Sequence, residues 1–137
     1  MTTRDDDPAP AVPGPLRREL ESELAAARGL AGDDPEAARA RVHDAEVALG
    51  ERAADRRARL AATMRALLRH RRPESTICPS DAARVVGGDS WRDLMEAARE
   101  VASELAREGT IVVRQHGADV DLGAATGPVR LARGPRW

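Results

Sequence analysis

The chain has 137 residues, enough for one domain with a modest core and some extensions. It holds no Phe or Tyr and only two Trp, so the core must be built from Leu, Val, Ala, Ile and Met, which favours helices. A single cysteine, Cys78, excludes an internal disulfide and a cysteine-rich zinc site and fits a reducing compartment, the cytoplasm; the net charge of −1 is divided unevenly along the chain.

Residues 1–15, MTTRDDDPAPAVPGP, combine three consecutive aspartates with four prolines and no apolar run. No signal peptide or membrane span is read there, and a disordered leader is expected. Leu16, Leu20 and Leu24 then recur every four residues, predicting a helix over 16–30 that stops at Gly29 or Gly32. A second helix over 35–49 follows, with Asp34 as N-cap, Pro35 at its first position, and Ala38, Val42, Ala45 and Leu49 along one stripe. Together they read as a helical hairpin, an N-terminal arm over 16–50. Its apolar stripe is thin, so it must pack on the rest of the chain or on a second copy.

The third predicted helix runs from about Glu51 to His70, with Leu60, Met64, Leu67 and Leu68 inward, and Pro73 closes it. The segment STIC, 75–78, reads as a short strand that pairs with a later hairpin: Ile77 plugs the core, Cys78 packs as a small hydrophobe, Pro79 ends the strand and Ser80 caps the next helix. Ser90 with Asp93 predicts a capping box for a long helix that carries Trp91, Leu94, Met95, Ala98, Val101, Ala102 and Leu105 on its buried stripe and stops at Gly109. TIVVRQHGADVDL predicts a β-hairpin turning at His116-Gly117, and GPVRLAR an edge segment. The expected fold is therefore mainly α with a small β-hairpin, an α+β class: a winged helix-turn-helix domain over 51–133, preceded by the helical arm and followed by a tail, 134–137.

Several of these stretches carry a resemblance. TICPSDAAR (76–84), WRDLM (91–95), ELAREGTIVVRQHG (104–117), VD (120–121) and GPVRL (127–131) resemble the bacterial family known as domain of unknown function 3253, over about residues 55–133. The family is similar to winged-helix proteins, and the resemblance implies architecture without an activity. Asp81 stands where the family pattern has Glu, and Leu122 where it has Pro.

Little in the sequence points to catalysis. Cys78 precedes a helix N-terminus, which can activate a thiol, but a cysteine nucleophile needs a base within reach and no histidine is near in sequence. His43, His70 and His116 fall in three different elements without metal-ligand spacing. There is no phosphate-cradling glycine loop, and Gly87-Gly88 reads as a helix end. A non-enzymatic protein without cofactor or metal is expected, and a thiol enzyme or redox sensor using Cys78 ranks last among the alternatives.

All 22 basic residues are arginine, but asparagine is absent and glutamine occurs once, so coding bias explains that choice more simply than phosphate recognition. Position is more informative. Residues 51–72 hold eight arginines against two acids, whereas residues 1–50 hold six against eleven. An acidic arm beside a basic helix invites an ion-paired contact; a basic helix and wing could also follow a DNA backbone. The candidate backbone contacts are Arg56, Arg57, Arg114, His116, Arg130 and Arg133, with Arg136 in the tail. The long helix mixes Arg92, Asp93, Glu96, Arg99, Glu100, Glu104 and Arg107, a self-paired face and not a base-reading one. Duplex DNA bound without sequence preference is thus the leading partner, and a protein or second copy docking on 16–50 is the alternative.

Overall fold

The computed structural model of the chain describes residues 12–30 and 34–137. Five helices, α1 (Gly14–Arg28), α2 (Pro35–Leu49), α3 (Arg56–His70), α4 (Pro79–Gly87) and α5 (Met95–Arg107), precede three strands, β1 (Ile111–Gln115), β2 (Ala118–Asp119) and β3 (Arg130–Arg133). The expected class holds: the chain is mainly helical with one small antiparallel sheet, in the order β2-β1-β3.

The arm is part of the main core. Leu20 and Leu24 of α1 and Ala45, Ala48 and Leu49 of α2 share one apolar cluster with Leu60, Met64, Leu67 and Leu68 of α3. The thin stripe that could not support a free hairpin is therefore completed by α3, within the same chain. The leader expectation needs correcting at its end: residues 1–11 lie outside the described residues, but Val12 is buried, Pro13 is the N-cap of α1, and the helix begins at Gly14. Asp34 caps α2 as its sequence predicts, its Oδ1 accepting from the Ala37 N–H at 3.1 Å.

Helix α3 starts later than expected. Asp55 is its N-cap, accepting from the Ala58 N–H at 2.8 Å, so residues 51–54 connect two helices and belong to neither. Two further caps differ from expectation. Ser80 does not cap α4: Cys78 takes the N-cap position, Pro79 follows it, and the Asp81 carboxylate accepts from the Cys78 N–H at 3.0 Å. Ser90 does not cap α5 either. It lies inside a 3₁₀ segment, Gly88–Leu94, that leads directly into Met95. Gly87 fits there because a Cβ on it would come within 2.8 Å of Leu94 Cδ1.

The end of α5 follows its sequence. Gly109, at φ +83°, lets the Thr110 N–H reach Leu105 O and its own N–H reach Ala106 O, which satisfies two terminal carbonyls. His116 and Gly117, at φ +54° and +81°, form the tight turn between β1 and β2. The segment GPVRLAR becomes β3, pairing with β1 so that Ile111 faces Arg133, Val113 faces Leu131 and Arg114 faces Arg130. Ile77 joins the sheet through an isolated bridge to Leu131. It therefore pairs with β3, and not with the β1–β2 hairpin as expected. Its side chain is fully buried, as are Leu67 and Ile111, whereas Trp91 and Met95 are only partly buried against the core. The tail is held too: the Gly134 N–H donates to Thr110 O and the Arg136 N–H to Gly109 O.

Candidate functional site

Most of the arginines that the sequence concentrates in residues 51–72 are engaged by the arm. Asp44 of α2 is buried, and Arg65 grips it with Nε at 3.0 Å and Nη2 at 2.9 Å while Arg69 bonds the same carboxylate. Arg71 takes Glu19 in a two-point grip at 2.7 and 3.0 Å, and its pKa is raised by that pairing against the opposing effect of burial. Arg52 and Arg28 share Glu46, whose carboxyl is held below its usual 4.5 by those hydrogen bonds, Arg52 first. Within the arm, fully buried Glu23 accepts two bonds from Arg41, at 2.9 and 2.6 Å. Glu23 sits on the α1 stripe between Leu20 and Leu24, and an acid on an apolar stripe is the sequence signal that could have revealed a buried pair.

Two arginines serve as helix caps. Arg59 donates to Ala48 O at the end of α2, and burial lowers its pKa. Arg133, one of the candidate backbone contacts, lies over the end of α3 and donates to Leu68, Arg69 and Arg71 carbonyls. It also lies 5.0 Å from the Trp137 ring centroid.

The other candidates divide. Arg56 is exposed and has no carboxylate partner among the described residues. Arg57 bridges from α3 to Glu100, at 2.8 Å, and Glu104 of α5, so it belongs to an exposed ion-pair cluster. Arg130 donates to Thr76 Oγ1 at 2.8 Å and Thr76 O at 2.9 Å, which pins β3 to the Ile77 segment. Arg114 meets Asp119 across the hairpin at 3.2 Å, both side chains being largely exposed. His116 is exposed at the hairpin turn. On α5, Arg99 donates to Ala125 and Gly127 carbonyls, tying down the loop before β3. That helix face is occupied locally, as its mixed charge predicts.

The fold therefore brings Arg114 and Arg130 together, directly opposite each other on β1 and β3. It also brings together a pair that the sequence reading missed. Arg84 of α4 and Arg92 of the 3₁₀ segment lie 4.2 and 4.5 Å from the Trp91 ring centroid. Nothing in their spacing announces it, because the contact depends on how α4 turns into α5.

Cys78 is the single cysteine of the chain. The free thiol is half-buried at the start of α4, and the nearest acid by hydrogen bonding, Asp81, accepts from its backbone. Among the described residues no group of three or more His, Cys, Asp and Glu is placed to hold a metal ion, and no helix is long and apolar enough to cross a membrane.

Residues 57–134 match the family described as Protein of unknown function (DUF3253). The match covers more than half of the chain, so the protein belongs to that family, as the quoted stretches suggested. No curated protein matches the sequence.

Proposed function

We propose that this protein is a small cytoplasmic winged-helix module, not an enzyme, that binds the phosphate backbone of duplex DNA weakly and without sequence preference. The order α3, Ile77 bridge, α4, α5 and β1–β2 hairpin supports the winged-helix reading. The observation that carries the DNA reading is the Arg114–Arg130 pair. Like charges directly opposite on neighbouring strands repel, and a bound anion relieves that repulsion. Among the described residues Asp119 is the only carboxylate bonded to either, and an exposed ion pair of this kind contributes about 0–1 kcal/mol, little obstacle to a phosphate. Base reading is unsupported, because the exposed α5 side chains bond to their own neighbours.

Anisotropy of a labelled duplex tests this reading. Affinity should be equal for unrelated sequences and fall steeply with salt, and Arg114→Ala with Arg130→Ala should weaken it uniformly. Tight binding to one sequence through α5, or no binding at low salt, would overturn it.

A second reading has its own observation. An open groove of about 740 Å³ between α1 and α2 has an apolar floor of Ala27, Pro35, Ala38 and Val42 and a rim of Arg28, Arg39 and Arg52. It suits an acidic, apolar protein segment. A protein partner would be lost on Val42→Glu with the duplex affinity unchanged.

A further inference from the structure

We infer that Arg84 and Arg92, both stacked on Trp91, form a second phosphate-binding site, whose ligand is the phosphodiester backbone of duplex DNA. This rests on the duplex-binding reading above and adds a site on a different part of the chain, the turn between α4 and α5.

Three observations carry it. Both guanidinium groups are over the same indole, at 4.2 and 4.5 Å from its centroid, so they can be no farther apart than those two distances combined. Both side chains are exposed, and neither has a hydrogen bond or a carboxylate partner among the described residues, unlike Arg65, Arg69 and Arg71. Trp91 itself is half-buried and packed against the core, which gives the pair a fixed platform.

The chemistry follows from the stacking. A guanidinium lying on an indole gives up water from its flat face but keeps its in-plane N–H donors directed outward, which is the geometry that grips phosphate oxygens. Two stacked side chains have already lost much of their rotamer freedom, so less is lost when a ligand arrives. Two cations on one ring also repel each other, and an anion shared between them removes that repulsion. Asp89 lines the same groove and opposes an anion, so affinity is held down and a neutral side chain there should raise it. Two arginines already lie over the ring, which makes phosphate, and not a stacked base, the group this site fits.

The absence of Tyr and Phe supplies the probe. In the full chain carrying Trp137→Phe, Trp91 is the sole fluorophore. Two unrelated labelled 20-base-pair duplexes are titrated at low salt, reading label anisotropy and Trp91 emission together. Both signals should saturate at the same concentration for both sequences. Arg84→Ala with Arg92→Ala should weaken binding about tenfold and reduce the slope of log affinity against log salt by about 1.8, the release expected for two phosphate contacts. Arg84→Lys with Arg92→Lys should keep most of the slope but lose affinity, and Asp89→Asn should tighten binding. Unchanged thermal melts would show that these exposed changes leave the fold intact. If anisotropy reports binding while Trp91 emission stays flat and the double alanine variant binds like its parent, the site is refuted and the duplex reading stands. If no variant binds either duplex at low salt, the duplex reading fails and this site with it.

Discussion

The arm with α3 and the segment from α4 to β3 use the same basic residue in opposite ways. In the first region the arginines are cross-links: Asp44 holds Arg65 and Arg69, Glu19 holds Arg71, and Glu23 holds Arg41. In the second, Arg84 and Arg92 rest on an indole, and Arg99 and Arg130 donate to backbone carbonyls or a hydroxyl. The helix with the densest positive charge is therefore largely neutralised by its own chain, whereas in the less basic region Arg114, with Asp119, is the one arginine that has a carboxylate partner among the described residues. A count of charges along a sequence says where cations are made, and tertiary pairing decides where they remain available.

The strongest way to break this comparison is to remove a cross-link. Asp44→Ala leaves Arg65 and Arg69 side by side, less than a third exposed and without their acid, and should cost about 3–5 kcal/mol in urea unfolding. Arg84→Ala should cost far less, because Arg84 is exposed and has no hydrogen bond or carboxylate partner among the described residues. Equal losses would mean that the two regions do not differ as described.

A smaller effect sharpens the second region. Because the Asp81 carboxylate holds the Cys78 N–H, Asp81→Ala should cost about 1 kcal/mol, whereas Ser80→Ala should stay within about 0.5 kcal/mol. Chemical denaturation of both variants separates these outcomes, and a larger loss at Ser80 would restore it as the cap.

The smallest effect is in pH. Glu46 has its folded pKa depressed below 4.5 by Arg52 and Arg28, so its stabilising contribution is fully present above 4.5 and is lost as pH falls through the lower folded value. Wild type should melt slightly above Glu46→Gln at neutral pH, and the gap should close in acid. A gap that persists there would assign the effect to packing.

How much of this the sequence disclosed depended on whether the cause was local. Asp34-Pro35, Gly109 and His116-Gly117 act within a few residues of themselves, and the helix start, the helix stop and the hairpin turn they predict are all present. Local signals misled where a neighbour competed. Ser80 lost the cap because Cys78, two residues earlier, takes the N-cap position with Asp81 bonded back to it, and Ser90 with Asp93 fell inside a 3₁₀ segment. Long-range pairs were out of reach in detail: Arg133 over the end of α3, Ile77 on β3, and the two arginines on Trp91 each join residues through the fold alone. Of the candidate contacts, the sequence assigns Arg114 to the wing and Arg130 to the tail, and their direct opposition needed the β1–β3 register.

The most direct test of where usable charge lies is the salt dependence of duplex affinity in two double variants. Arg114→Ala with Arg130→Ala alters the sheet; Arg56→Ala with Arg72→Ala alters two exposed arginines, one at the start of α3 and one two residues beyond its end. The account predicts that the sheet variant lowers the slope of log affinity against log salt by about 1.8 and the helix variant by much less. An equal or greater loss from the helix variant would contradict it, because the exposed arginines flanking the helix, and not the sheet pair, would then meet the phosphates.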